Sequence, residues 1–340
     1  MPLRKDIAVC NTLKSLFLTA LLVIASWASA NDDTASGIVK YNEGAFHEAR
    51  SLFLAQSENG DAYATFWLGV TQWETGERFE AGDTFFRAAE MGDPWAMYML
   101  VPRDGNPCRY LGWPCDEAWK AKALAGWEAL AEQGNAKAQF AITKVSQPWW
   151  EYIPFYRLFR YHELLETGMD QNTYGAYQKY MRKFGNRTQY DFDYIHRAAG
   201  KGRASFMAAI GYSKHPSIKG QELAWLQKSL DTGFPDTAKS LCIDYKLGWE
   251  DFPVDLEKAF YYSVVYEVLN KGRDECKVFT QESVTDEYGL IVSDSEGKSI
   301  KRDLISEERQ QALRKEAKAY AETLTPNLFL DETTIELFVY

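Results

Sequence analysis

The sequence predicts an all-α fold, a solenoid of stacked helix pairs, and three observations predict it. Glycines at positions 60, 92, 134, 168, 202, 233 and 272 each close one helical run and precede another, at spacings of 32, 42, 34, 34, 31 and 39 residues. Glycine suits that place because the left-handed backbone that ends a helix costs it nothing. After the glycine a small residue stands four places on (Ala64, Ala96, Ala138), and a large apolar one stands eight places on (Leu68, Leu100, Ile142, Ile210, Leu241). The first permits close helix approach and the second fills the space between helices. Between junctions a second helix returns, as in FEAGDTFFRAAEMG at 79–92. One such pair cannot bury its apolar face alone, so neighbouring pairs must stack.

The chain opens on MPLRKDIAVCNTLK, with Arg4, Lys5 and Lys14, then about fourteen mostly apolar residues, then Ala28–Ser29–Ala30. A basic start, a short apolar run and small residues at a cleavage site form the layout of a secretory signal peptide, with cleavage expected after Ala30. The apolar run is shorter than the roughly 20 residues a spanning helix needs. Loss of residues 1–30 removes three cations and one anion and moves the net charge from −10 to −12. So acidic a chain is repelled by phosphate backbones, which argues against nucleic acid as a partner. The expected organisation is a signal peptide over 1–30, a repeat solenoid over 31–275, and a C-terminal region over 276–340. The expected location is the periplasm or the exterior.

Four cysteines remain after cleavage. An even count in an exported protein points to disulfides, Cys108 with Cys115 inside the Gly/Pro-rich loop NPCRYLGWPC and Cys242 with Cys276. That loop falls in the 42-residue step and reads as an insertion between helices. Past Gly272 the texture changes. YGLIVSDSEGKSIKRD places a polar turn between two β-prone stretches, the pattern of a hairpin. SEERQQALRKEAKAYAETL is a helix with Ser306 as N-cap and Glu307 and Glu308 in its first turn, and Pro326 stops the run. A polar-faced last helix suits the end of a solenoid. The final DETTIELFVY, acidic and then apolar, is open to three readings: a disordered tail, a docked edge segment, or a peptide that a partner captures.

The stretch AKSLCIDYKLGWEDFPVDLEKAFYYSVVYEVLNKG, from Ala238 to Gly272, resembles the Sel-one-like repeat, a relative of the tetratricopeptide repeat. The match runs through Leu241 or Cys242, Tyr245, Gly248, Asp255, Ala259 and Tyr262, and the resemblance covers roughly residues 35–275. It implies a right-handed superhelix of about six to seven helix pairs that binds other proteins, and it implies no single chemistry. Two places depart from the pattern: Asn172 stands where a small apolar residue is expected, and SQPWWEYIPFYRLFRY at 146–161 has no counterpart.

No catalytic constellation emerges. His162 and Glu166 in HELLE make half of a zinc-site pattern without its second histidine, and a surface His–Glu pair is the plainer reading. SEGK at 295–298 has a nucleophile spacing but sits in a polar turn with no companion motif. The recurring glycines follow helices, so they form no dinucleotide fingerprint, and no phosphate-binding loop occurs. The sequence therefore predicts a non-enzyme with no cofactor and no metal.

PWWEYIPFYRLFRY at 148–161 carries seven aromatic residues among fourteen. Pro154 suits the first turn of a helix. From there Phe155, Leu158, Phe159, His162 and Leu165 follow helical spacing and are expected to be core. Tyr156, Arg157 and Arg160 lie on the opposite side, and Trp149, Trp150 and Tyr152 precede the helix. Aromatics and arginine are enriched at binding hot spots. Structural filling and a membrane interface are the other readings, the latter disfavoured by the acidic charge. The expected function is a periplasmic scaffold or regulator that binds another protein through these six residues. An immunity protein against a toxin delivered to the periplasm is the alternative, and a cell-wall hydrolase is the least favoured reading.

Overall fold

A computed structural model of the chain describes residues 33–105, 107–146, 148–183, 189–200, 204–212, 215–248, 252–270, 272, 275–296, 298–335 and 338. The signal-peptide segment and the junction at Gly202 lie outside the described residues. Two compact units are present: the chain up to Ala176 together with Leu330–Tyr340, and Tyr177–Phe329.

The first unit begins with a helical segment at 33–42 (α1). It continues through α2 (Phe46–Glu58), α3 (Ala62–Glu74), α4 (Arg78–Glu90), α5 (Pro94–Met99), α6 (Ala118–Glu132), α7 (Ala136–Val145) and α8 (Pro154–Asp170), and reaches the start of α9 (Tyr174–Lys183). From α2 to α8 each helix packs on the next, the nearest-neighbour pattern of a repeat array. The junctions before α3, α5 and α7 work by a two-residue device. Gly92, at φ +100°, ends α4, and Asp93 beside it accepts a hydrogen bond from Ala96 N–H at 2.7 Å, which caps α5. Asp61 caps α3 and Asn135 caps α7 in the same way. The small residues at 64, 96 and 138 are fully buried, as expected, and Leu68 and Leu100 lie in the core beside them. Trp67 centres this core, fully buried against the rings of Tyr41 at 5.2 Å, Phe66 at 5.8 Å and Phe53 at 6.0 Å.

One junction departs from expectation. Gly168 does not end a helix; it lies inside α8, and the left-handed residue here is Asn172, at φ 60°. Gly168 serves close packing instead, since a Cβ placed on it would come within 2.8 Å of Ala176 Cβ. Asparagine tolerates the left-handed region better than most residues, so Asn172 takes over the terminating role.

The insertion is closed by the Cys108–Cys115 disulfide and fastened by Trp113. That indole is buried over Gly82, where an added Cβ would lie 2.3 Å from the ring, and its Nε1–H donates to the Arg78 carbonyl at 2.9 Å.

The second unit contains α10 (Gln189–Gly200), α11 (Ala204–Gly211), α12 (Glu222–Asp231), α13 (Pro235–Leu247), α14 (Leu256–Leu269) and α15 (Glu307–Ala321). Helices α13 and α14 form the best-defined pair. Leu241, Tyr245, Val264, Val265 and Leu269 make its core, Gly248 ends α13 at φ +70°, and Asp255 caps α14 at Lys258 N–H. These include positions through which the sequence resembles the repeat family. Helix α15 packs on α14 through Leu313, Ala317 and Ala321, with Ser306 as its N-cap. The hairpin exists but is anchored earlier than expected. Strands β1 (Gln281–Ser283) and β2 (Lys301–Asp303) pair antiparallel, and the stretch between them adds isolated bridges at Thr285–Ile291 and Ser293–Ser299. The second disulfide joins Cys242 on α13 to Cys276.

Candidate functional site

The aromatic segment lies in the first unit and is more exposed than its periodicity implies. Residues Trp149–Tyr152 form a single 3₁₀ turn, and Pro154 opens α8. Trp150 meets Tyr161 edge-on at 4.9 Å, and the Tyr161 hydroxyl donates to Glu151. This contact sets which face of α8 turns inward: Tyr161, Leu165, Gly168 and Met169 are buried. The expected core stripe is therefore corrected. Phe155 is 89% exposed, Phe159 64% and Leu158 48%; of the five residues in that stripe only Leu165 is fully in the core. Helical spacing shows that a face is apolar, not that anything covers it.

The six predicted binding residues divide accordingly. Trp149 and Tyr152 are exposed, and Trp149 stacks on the exposed Tyr156 ring at 5.7 Å. Arg157 is exposed, Arg160 is half-buried in an ion pair with Glu163, and Trp150 is half-buried under Tyr161. Four of the six, Trp149, Tyr152, Tyr156 and Arg157, thus share the surface with Phe155 and Phe159. His162 pairs with Glu166 at 3.1 Å, the plain reading of HELLE. Among the described residues no three His, Cys, Asp or Glu side chains are grouped to hold a metal, and no helix is long and apolar enough to cross a membrane.

A second feature was missed from sequence. The capped starts of α3, α5 and α7 and the segment before α9 line one cavity of about 600 Å³. Glu332 lines it too, and its described neighbours 330–335 and 338 belong to the same unit. The Asn42 side chain brackets Leu330, accepting from its N–H at 2.6 Å and donating to its carbonyl at 3.0 Å. Asp331 accepts from Tyr174 N–H at 2.8 Å, at the positive end of α9. Glu332 accepts from Lys137 Nζ at 2.6 Å and from the Tyr63 hydroxyl. Thr333 Oγ1 accepts from Gly175 N–H at 2.9 Å. Phe338, fully buried, sits among Tyr98 at 5.3 Å, Trp95 at 5.5 Å and Trp127 at 6.1 Å, with Lys144 Nζ 4.2 Å over its ring. Of the three readings of the tail, the docked segment is the one observed.

Burial governs the charges here. It pushes the Asp331 carboxyl up, and it raises Asp93 to about 8, helped by the Glu332 and Asp61 charges and opposed by the Ala96 N–H. Burial lowers the Lys137 ammonium, but Glu332 and Asp331 outweigh it and the net shift is upward. Because the folded value of Asp93 lies above its ordinary 3.8, its contribution to stability is full below pH 4 and is lost as pH rises through about 8. Asp93→Asn keeps a capping oxygen and carries no charge. It should match the wild type near pH 4 and exceed it at pH 9 by on the order of 5 kcal/mol. Denaturant midpoints of the two chains across that range test this, and parallel curves would show that Asp93 stays ionised when folded.

No family model and no curated protein matches the chain. Among solved structures it is similar to a protective antigen of uropathogenic Escherichia coli displaying an SLR fold, at 17% identity and a TM-score of 0.37, over 88% of this chain and 63% of that one. It is also similar to a Sel1 repeat protein from Oxalobacter formigenes, at 19% identity and a TM-score of 0.36, over 68% of this chain and 95% of that one. The chain therefore spans 63% of the first structure's length. Both carry the repeat type that the sequence resembles. This chain's own helices, packed each on the next, make it a protein of stacked helix pairs.

Proposed function

We propose that the chain is an exported repeat protein, cleaved after Ala30 and resident in the periplasm, that binds another protein and carries out no chemistry of its own. The carrying observation is the aromatic segment 149–159, where Trp149, Tyr152, Phe155 and Phe159 are each exposed, Trp149 stacks on Tyr156, and Phe155 and Phe159 lie one helical turn apart. Contiguous apolar surface rimmed by polar residues marks an interaction site, and scattered single residues do not. The chain's net negative charge favours a partner with a basic surface. Two closed disulfides suit an oxidising compartment.

The test uses residues 31–340 as bait against envelope and secreted extracts, beside a bait carrying Trp149→Ala, Phe155→Ala and Phe159→Ala. The three side chains are exposed, so each change should alter stability by no more than about 0.5 kcal/mol. One stoichiometric partner that the altered bait loses supports the reading, and its identity separates scaffold from immunity protein. A partner retained equally by both baits removes the aromatic face as the site.

A further inference from the structure

We propose that the groove of the first unit that holds Asp331, Glu332 and Phe338 is a recognition site for an acidic–aromatic segment of a partner protein, and that the tail carrying these three residues is a tethered occupant which such a partner displaces. The inference is independent of the aromatic face, since the groove uses other residues.

The tail joins the first unit as a separate segment, more than 150 residues along the chain from Ala176. Much of its hold comes from side-chain contacts of the kind that peptide grooves use. A carboxylate sits on the first amide of α9, and a second sits between Lys137 and Tyr63. Six residues further on, a phenylalanine fills a box of Trp95, Tyr98 and Trp127. Charged anchors combined with an aromatic plug give both register and affinity. The ligand class follows from those contacts: two adjacent carboxylates with an aromatic side chain six positions after the second.

The resident segment is an imperfect tenant. Asp331 and Glu332 are buried side by side, with Lys137 as the cation that offsets them. Buried like charges are costly. Phe329, where the tail begins, holds a left-handed backbone at φ 51°, a conformation that a bulky residue keeps only under constraint. The cavity beside Glu332 also leaves room that a partner's side chains would fill. Tethering offsets these defects, because a linked segment acts at millimolar effective concentration. A free ligand must therefore compete with it.

The test uses the full chain and a fluorescein-labelled peptide with the sequence of residues 329–340 as probe. Glu332→Ala with Phe338→Ala removes both anchors from the resident tail. This double variant should bind the peptide at least about tenfold more tightly than the wild type does, as release of a tethered competitor requires. Lys137→Ala added to it should cost about tenfold in affinity, the scale of one charged contact. A peptide with alanine in place of the phenylalanine at position 338, its second, should not bind. Hydrogen exchange on the unaltered chain gives a second measurement. The amides of 331–335 should exchange by local opening while those of α3 stay protected. A helical double variant that ignores the peptide would overturn the proposal. So would a double variant that loses its helicity, or tail amides as protected as those of α3, since either would make the tail a fixed part of the core.

Discussion

Gly233→Ala lowers the stability of the second unit by about 3 kcal/mol, a loss of roughly 9 °C in melting temperature for a domain of this size. Two effects add. Gly233 stands at φ +79°, where a Cβ is strained, and that Cβ would lie 1.8 Å from the Thr325 carbonyl oxygen. The obstacle is backbone, and it is held in place: Asn327 N–H donates to the Gly233 carbonyl at 2.9 Å. No rotamer change relieves it, so the segment after α15 must lift away. Gly220→Ala separates the two effects, because Gly220 has φ +80° with nothing within 4 Å of the added carbon. It should cost only about 1 kcal/mol, the backbone part alone. Thermal unfolding of both variants by circular dichroism decides the point; equal losses would mean that Thr325 does not press on the junction.

Replacing Cys242 and Cys276 together by alanine costs about 3–4 kcal/mol, the largest effect expected from any change that leaves packing nearly intact. The bridge spans 34 residues and encloses α14, so cutting it returns considerable freedom to the unfolded chain. Both cysteines are buried, so the alanines also leave a small cavity. The Cys108–Cys115 bridge spans only 7 residues, and its removal should cost about 2 kcal/mol. It is also half-buried, so it should be reduced first. Urea unfolding of the two double variants, with thiol titration under graded reductant, tests the order. A larger loss from the short bridge would mean that it clamps Trp113 over Gly82 beyond its loop-closure effect.

Local signals made much of the architecture legible. A glycine followed by Asp or Asn is written into the chain at 60–61, 92–93 and 134–135, and each dyad both stops a helix and caps the next. The Cys108–Cys115 spacing and Ser306 acted through the same short range, whereas Cys242 and Cys276 were paired by the even cysteine count. The reading failed where two local solutions compete. At Gly168 the helix ran on, and Asn172 became the terminator. On α8 the apolar period was right and the assignment to core was not, because the contact of Trp150 and Glu151 with Tyr161 rotated a different face inward.

The sequence by itself determined the helix pairs, the Gly–Asp and Gly–Asn junctions and the short Cys108–Cys115 bridge, because each depends on residues close in the chain or on a periodicity that repeats along it. Only the tertiary structure decided that Phe155 and Phe159 face solvent, and that Glu332 and Phe338 find Lys137 and Trp127. Those pairings join residues some two hundred positions apart. No local propensity encodes which distant surface a segment will meet; burial and charge complementarity in three dimensions select it.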